Sequence, residues 1–247
     1  MRLTVLGACG AWPAAGQACS GFLIGHDGFQ LLVDCGYATM PRLTQLVPAD
    51  QLDAVFVSHG HPDHCADLNP LLRARALRDR PPAALPVYAV PGALDAVLAL
   101  DRPGMLDDAY LLHELTPGLP VRIGPFDCQT RLLPHWVTNV GVRIAAGDHV
   151  IAYTGDCGPS PGVVELARDA DLLVAEATFE GQVPEDSLGN LSSARDAGRQ
   201  AAAAAARQLL LTHLWPGADP AVALAAAGEL YASEMAVAAS GMVIDLR

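Results

Sequence analysis

Short apolar runs rich in Val, Ile and Leu recur along the chain and predict β-strands. They lie at residues 3–6, 21–24, 31–34, 54–58, 87–90, 131–134, 140–145, 150–154, 172–175, 209–212 and 243–246. The early runs are joined by short Gly-containing turns, as in hairpins, whereas the later runs alternate with helical segments, which favours parallel pairing. The pattern therefore predicts an α/β fold.

Several helices are predicted from a capping residue followed by proline, a pair that favours a helix start. These pairs are Asn69–Pro70 before a helix reaching residue 80, Ser160–Pro161 before a helix over 163–168, and Asp219–Pro220 before an alanine-rich segment. Ser193 and Asp196 resemble a capping box before a second alanine-rich segment. Because no linker separates these elements, we expect residues 1–247 to form a single domain.

Two parts of the chain share an order of elements. The segment "LLVDCG" at 31–36 leads to the strand at 54–58, and "IAYTGDCG" at 151–158 leads through a helix to the strand at 172–175. Chance similarity between apolar strands would give the same resemblance between the two segments. The order nevertheless fits two similar halves that face each other, with functional loops at one shared edge.

Composition narrows the classes of function. Half of the chain is hydrophobic, at 51%, yet no apolar run approaches the roughly 20 residues of a membrane span. The N-terminus enters a strand pattern without a signal peptide, so we expect a cytoplasmic protein. The six cysteines form no CxxC pair, which disfavours a thiolate zinc site. The net charge of −12, with arginine as the only basic residue, argues against broad nucleic-acid binding.

The densest chemistry lies in "SHGHPDHCADL", residues 58–68, which follows a predicted buried strand. His59 and His61 alternate as they leave that strand, so their side chains point the same way. A turn at Pro62 then brings Asp63 and His64 round. Imidazole and carboxylate are ligands of a divalent ion such as zinc, so the segment predicts a metal site rather than a solvated polar turn.

This cluster needs distant partners to complete a metal site. Three candidates each stand at the end of a predicted strand: His135 after "TRLLP", Asp156 after "IAYTG" and His213 after "LLLT". A lone histidine at such a position is more often structural. Three candidates at matched strand ends, in addition to the cluster, favour ligation.

Together these motifs resemble those of the metallo-β-lactamase superfamily: H-x-H-x-D-H at 59–64, His135, Gly-Asp at 155–156 and Thr-His at 212–213. The resemblance implies a four-layer αβ/βα sandwich, with two mixed sheets flanked by helices and two zinc ions at its edge; manganese or iron could use the same ligands. It assigns His59, His61 and His135 to one ion and Asp63, His64 and His213 to the other, with Asp156 bridging both. It also implies hydrolysis by a hydroxide that bridges the ions, formed from a bound water that Asp63 could orient or deprotonate.

Further segments resemble the ribonuclease Z-like and cyclic-nucleotide phosphodiesterase-like branch. They are "VLGACGAWP", "SHGHPDHCADL", "LLVAEATF" and "NLSSARDAGRQAA". This implies a phosphodiesterase acting on a small substrate, which could be a cyclic nucleotide, and it suggests a homodimer. Relatives that process transfer RNA carry a basic, Gly-rich arm. Because this acidic chain has no such insertion, transfer RNA is not the expected substrate.

Two polar residues near the motifs are further candidates. Asn190 stands where many relatives have a catalytic histidine; asparagine can donate a hydrogen bond but cannot act as a general acid near pH 7. Glu176 ends a predicted buried strand and is a candidate to hydrogen-bond a ligand histidine, with an ordinary capping role as the alternative.

Trp12, Trp136 and Trp215 each lie in or beside a motif loop and could line an apolar pocket wall that stacks on a base or an aromatic leaving group. Core packing is the alternative. The arginines at 73, 75, 78 and 80 form the only basic cluster, which we expect to be a solvated helix face rather than a phosphate-steering patch.

Other functions share this pattern. The same ligands could serve hydrolysis of a lactone, thioester, β-lactam or sulfate ester. A non-catalytic metal-binding protein is also compatible, with Asn190 marking lost activity, although the intact ligand set argues against it.

Overall fold

The strands of the computed structural model, which describes residues 1–246, form two sheets of seven strands each. The first sheet contains β1 (Arg2–Gly7), β2 (Gly21–His26), β3 (Phe29–Val33), β4 (Ala54–Phe56), β5 (Leu85–Ala89), β6 (Tyr110–Glu114) and β14 (Val243–Asp245). The second contains β7 (Pro120–Ile123), β8 (Phe126–Leu133), β9 (Asn139–Ala146), β10 (His149–Tyr153), β11 (Leu172–Glu176), β12 (Gln208–Thr212) and β13 (Glu234–Val237).

The two sheets share one pairing scheme. The first runs β14-β1-β2-β3-β4-β5-β6 and the second β13-β12-β11-β10-β9-β8-β7. Each sheet has three antiparallel pairs on one side and three parallel pairs on the other. The first parallel pair next to the antiparallel ones is β3–β4 in the first sheet and β10–β11 in the second. The similarity between "LLVDCG" and "IAYTGDCG" therefore has a structural counterpart. The first segment includes the end of β3 and the second the end of β10, and these are the strands at which the pairing changes from antiparallel to parallel.

Helices cover the outer face of each sheet. They are α1 (Met40–Leu46), α2 (Pro62–Cys65), α3 (Leu68–Ala76), α4 (Asp95–Leu98), α5 (Pro161–Leu166), α6 (Ala194–Ala203) and α7 (Pro220–Gly228). Short 3-10 turns add Ala49–Gln51 and Glu185–Ser187. One apolar core lies between the sheets, a second under α1, α3 and α4, and a third under α5, α6 and α7. This confirms the predicted four-layer αβ/βα arrangement of two mixed sheets flanked by helices.

The strands that the pattern missed are sheet edges. β6, β7 and β13 each pair on one side only, and their residues are largely exposed or half-buried. An edge strand buries fewer residues and so needs no continuous apolar run. None of the helices in the described part of the chain has the length and hydrophobicity to cross a bilayer.

One predicted helix start was wrong, and another was right in position but lacks the expected capping bond. α3 begins at Leu68 and ends at Ala76, and Asn69 does not cap it but donates a hydrogen bond to Asp101. Ser160 precedes α5 without a side-chain capping bond. By contrast, Ser193 and Asp196 form a complete capping box, and Asp219 caps α7 through the Ala221 N–H.

The expectation of a solvated arginine face was wrong for Arg75. Its side chain is buried and its guanidinium donates to the backbone carbonyls of Ala49 and Ala83. Arg73 and Arg78 instead form ion pairs with Asp101 and Asp50. The guanidinium of Arg75 therefore ties α3 to neighbouring loops.

Candidate metal centre

The seven predicted ligands meet at one edge of the two sheets. They lie in the segments that follow four strands: His59, His61, Asp63 and His64 after β4, His135 after β8, Asp156 after β10 and His213 after β12. They form two groups, one of His59, His61, His135 and Asp156, the other of Asp63, His64, Asp156 and His213. Within each group the ligand atoms lie within 4.8 Å of one another.

In the first group, three imidazole nitrogens converge. Nδ1 of His61 lies 3.2 Å from Nε2 of His59 and 3.1 Å from Nε2 of His135. Oδ2 of Asp156 lies 3.8 and 3.9 Å from the Nε2 atoms of His59 and His135. Four atoms bonded at about 2.0–2.2 Å to one tetrahedral ion lie about 3.3–3.6 Å apart, so these spacings fit a metal of zinc's size.

The ligand atoms of the second group lie as close together as those of the first. Nε2 of His213 lies 3.1 Å from Oδ2 of Asp63 and 3.2 Å from Oδ2 of Asp156. Nε2 of His64 lies 3.1 Å from Oδ1 of Asp156 and 3.6 Å from Oδ2 of Asp63. Asp156 therefore faces both groups, which suits a bridging carboxylate.

Hydrogen bonds on the far side of three rings leave their Nε2 lone pairs pointing inward. Nδ1 of His135 donates to the backbone carbonyl of Asn190, at 2.9 Å. Nδ1 of His64 donates to Oδ2 of Asp34, at 2.7 Å. Ser58 Oγ donates to Asp34 at 2.8 Å, and so it accepts from Nδ1 of His59 at 3.1 Å. Because carbonyl and carboxylate oxygens only accept, each ring carries its hydrogen on Nδ1 and is free to coordinate through Nε2.

A relay through Thr178 does the same for His213. Thr178 Oγ1 lies 2.8 Å from Nδ1 of His213 and donates to Oε1 of Glu176. Glu176 also accepts from the Ser192 N–H at 2.8 Å. Burial, together with the charge of Asp156, raises the pKa of Glu176 to about 8. Glu176 therefore reaches a ligand histidine, but through a threonine rather than directly as the sequence suggested.

Buried polar atoms at the centre need a partner that side chains do not provide. Nε2 of His64 and Oδ1 of Asp156 are buried and make no hydrogen bond among the described residues, although they lie 3.1 Å apart. An unsatisfied buried polar atom costs about 1–3 kcal/mol. A divalent cation would satisfy both atoms, so the residues present fit a metal.

The electrostatics agree with ligation. Burial lowers the pKa values of His59, His61 and His135, which keeps these rings neutral near pH 7, the form that binds a metal. Burial opposes ionisation of Asp156, but His213 and His64 hold its pKa well below the usual range. Burial likewise opposes protonation of His64 and His213, but the charge of Asp156 raises the pKa values of both rings in the metal-free protein. The centre thus combines ionised carboxylates with three neutral imidazoles and two that a bound cation would deprotonate.

Asp34, which sequence reasoning missed as a site residue, supports the centre from behind. Its fully buried carboxylate accepts from the Ser58 N–H and hydroxyl, from His64 and from the Tyr153 hydroxyl, at 2.7–2.8 Å. The available signal was its position, since it follows β3 as Asp156 follows β10.

The remaining predicted residues lie around the two groups. The contact of Asn190 with the centre is made by its backbone carbonyl, and its side chain is half-buried. The three tryptophans are exposed rather than in the core, by 49% for Trp12, 53% for Trp136 and 41% for Trp215. Trp136 packs against the ring of His135, with centroids 5.2 Å apart.

Comparison with known proteins gives consistent matches. A model of the beta-lactamase superfamily domain matches residues 30–214. The chain is 36% identical over 221 residues to the probable metallo-hydrolase YhfI of Bacillus subtilis (strain 168), covering 87% of each protein. It is 28% identical over 302 residues to the ribonuclease Z of Haloferax volcanii, covering 100% of this chain and 95% of that one.

Solved structures are similar over nearly the whole chain. The crystal structure of the metallo-beta-lactamase fold protein YhfI from Bacillus subtilis matches with a TM-score of 0.89 and 33% identity, covering 98% of both chains. A diphosphatase of the PhnP family matches with a TM-score of 0.78 and 16% identity, covering 100% of this chain and 98% of that one. The second likeness concerns the fold alone.

Proposed function

This chain belongs to the beta-lactamase superfamily, and we propose that it is a metal-dependent phosphodiesterase that hydrolyses a small phosphodiester. The observation that carries the proposal is the pair of ligand groups sharing Asp156. Two neighbouring metal sites suit displacement at phosphorus, where attacking and leaving oxygens are both stabilised. Relatives named ribonuclease Z and a structural neighbour named as a diphosphatase support phosphate-containing substrates.

Seven side chains would hold two divalent ions, with zinc favoured by the imidazole-rich set. They are His59, His61 and His135 for one ion, Asp63, His64 and His213 for the other, and Asp156 for both. Bound there, the ions would acidify water and polarise the phosphoryl oxygens.

Asp63 is the proposed general base. Its Oδ2 accepts from the Ala11 N–H at 2.9 Å and faces Nε2 of His213 at 3.1 Å. In the metal-free protein, burial opposes ionisation of Asp63, but a protonated His213 donates to it from Nε2 and holds the pKa of Asp63 below its usual range. An ionised Asp63 can orient an attacking water and accept its proton.

Asn190 has a positioning role in this proposal. Its carbonyl orients His135, and its amide can donate a hydrogen bond but no proton. Without a histidine there to protonate the leaving oxygen, the reaction favours leaving groups that depart as stable anions. Activated aryl diesters should therefore react faster than alkyl diesters.

The charges of the chain favour a small substrate. The net charge is −12, Arg75 is buried, and Arg73 and Arg78 are paired with carboxylates. A polyanion such as transfer RNA requires a basic surface. A small diester carries one negative charge and does not need a basic surface.

The test begins with protein loaded with zinc or manganese and a count of metal per chain. Turnover of bis(p-nitrophenyl) phosphate is then compared with that of cyclic nucleotides, a lactone and nitrocefin. We expect two ions per chain and phosphodiester turnover, with Asp156→Ala losing both ions and activity. One ion or none would contradict the dinuclear site, and turnover of the lactone or nitrocefin without the phosphodiester would contradict the proposed reaction.

A further inference from the structure

All three tryptophans of the chain are exposed beside the ligand groups. Tryptophan is highly buried on average, because it carries the largest apolar surface of any side chain. Trp215 lies two residues after His213, and Trp12 follows Ala11, whose N–H donates to Asp63. Their exposure at these places has no explanation in core packing and indicates a binding surface.

Two of them form one cluster of tilted aromatic rings with a phenylalanine, with interplanar angles of 45° between Trp12 and Trp215 and 59° between Trp215 and Phe179. The ring centroids of Trp12 and Trp215 lie 5.8 Å apart, and those of Trp215 and Phe179 lie 5.3 Å apart. We call these three residues the aromatic platform. Phe179 is half-buried and supports Trp215 from the side. Trp136 is separate, since it packs on His135 of the first ligand group.

Backbone contacts fix the platform relative to the second ligand group. The Gly10 N–H donates to the Leu214 carbonyl at 3.0 Å, and the His213 N–H donates to the Ala8 carbonyl at 2.9 Å. A Cβ at Gly10 would lie 2.5 Å from the His213 carbonyl oxygen, so only glycine permits this approach. The loops that carry Trp12 and Trp215 therefore move together with His213.

Charged side chains offer little else to bind the organic part of a substrate. The chain has no lysine, and no arginine in the described part forms an ion pair or hydrogen bond with a ligand residue. Apolar contact is the source of affinity that the exposed indole rings offer beyond the metal groups, since indoles stack on flat π-systems of any base.

We propose that the aromatic platform binds the planar ring of the substrate, so that the natural substrates are phosphodiesters bearing a nucleobase or another aromatic ring. This assignment rests on the proposed function, because it concerns the same substrate. It orients the substrate with its ring over Trp12 and Trp215, at the end of the site formed by Asp63 and His213. Alkyl diesters of the same size lack that contact.

Binding is measured on metal-loaded protein by isothermal titration calorimetry, which does not depend on the tryptophans that the variants remove. The probes are adenosine 5′-monophosphate, phenyl phosphate and ribose 5-phosphate, and the last of these has no aromatic ring. We expect the two probes with an aromatic ring to bind and ribose 5-phosphate to bind at least about tenfold less tightly. Tighter binding of the nucleotide than of phenyl phosphate identifies a nucleobase as the preferred ring, and the reverse identifies an aryl group.

Variants separate stacking from general damage. Trp215→Leu and Trp12→Leu should each weaken binding of the ring-bearing probes about tenfold, while Trp215→Phe and Trp12→Phe retain most of it. Leu111→Ala, which truncates a comparably exposed apolar side chain on β6, is the control and should bind normally. Equal weakening of ribose 5-phosphate, or no change in any tryptophan variant, would overturn the assignment.

The outcome is distinguishable from failure of the proposed function. Ring-dependent binding by a protein that hydrolyses no phosphodiester would leave the platform standing and refute the reaction. Phosphodiester hydrolysis that Trp215→Leu slows equally for bis(p-nitrophenyl) phosphate and for an alkyl diester would support the reaction and refute the platform.

Discussion

Replacing Asp34 by asparagine should weaken metal binding without removing any ligand. The substitution suits the backbone, because Asp34 has a φ of 56°, a left-handed conformation that asparagine tolerates better than most residues. Oδ2 accepts from Ser58, His64 and Tyr153, whereas Oδ1 accepts only from the Ser58 N–H. An amide therefore keeps most contacts by turning its oxygen to the three donors.

The orientation of the amide determines how much stability and metal affinity the substitution should cost. The amide NH₂ then faces the Ser58 N–H, which loses its acceptor inside the protein at a cost of about 1–3 kcal/mol. The bond to His64 loses its charge, and the loss of such a partner typically weakens metal affinity about 10–100-fold, or about 1.4–2.7 kcal/mol. Because Ser58 also contacts His59, the affinity for both ions should fall, and it should fall more for the ion at His64.

Affinity is measured by competition with a chromophoric chelator, and stability by urea unfolding of the metal-free protein. Tyr153→Phe is the matched control, since it removes one donor and leaves the bond between Asp34 and His64. It should cost about 1 kcal/mol of stability and leave metal affinity nearly unchanged. Normal affinity and normal stability in Asp34→Asn would refute the reasoning, as would an equal loss of affinity in Tyr153→Phe.

Three further predictions concern the neighbouring residues. Thr178→Val breaks the relay to His213 while keeping its shape, so one of the two ions should bind about tenfold more weakly by the same competition assay; unchanged affinity would exclude the relay. Asn190→Ala should leave metal content and affinity intact, because the carbonyl that orients His135 belongs to the backbone, and a lost ion would contradict this. In metal-free protein, the lowered pKa of Asp63 contributes stability that is present above about pH 4 and lost as the pH falls further. Asp63→Asn should therefore lose less stability than the unchanged chain between pH 5 and pH 2, as measured by urea unfolding. An equal dependence of stability on pH in the two proteins would contradict this.

The clustering of the candidate ligands could be predicted because chemistry and position coincided in the sequence. His59, His61, Asp63 and His64 form one local motif, and the other three ligands each follow an apolar run that reads as a strand. Parallel strands deliver their carboxyl ends to one edge of a sheet. Residue type and strand order therefore placed side chains as distant as His64 and His213 at one edge, whereas their division into two groups came from the family resemblance.

The supporting residues could not be predicted in the same way. Asp34 matters because His64 and Tyr153 reach it, and Tyr153 is 119 residues away in the chain. Thr178 matters because its hydroxyl lies between Glu176 and His213. Such contacts depend on side-chain packing after the sheets have come together, and no spacing along the sequence encodes them.

The fold likewise contains elements that the sequence predicts and elements that it does not. Central strands were recognised from continuous apolar runs, because they are buried on both faces. The edge strands β6, β7 and β13 lacked that signal. Helix starts with a side-chain cap, at Ser193 and Asp219, were predicted correctly, whereas Asn69 was wrong because a tertiary contact with Asp101 uses its side chain.

Each ligand group takes two residues from each half of the molecule. His59 and His61, or Asp63 and His64, follow a strand of the first sheet, while their partners follow strands of the second. A chain holding both ions is therefore cross-linked between its halves, and opening either half requires release of metal. Since ligand binding stabilises the folded state by mass action, the supply of metal would set the lifetime of the protein against proteases as well as its activity.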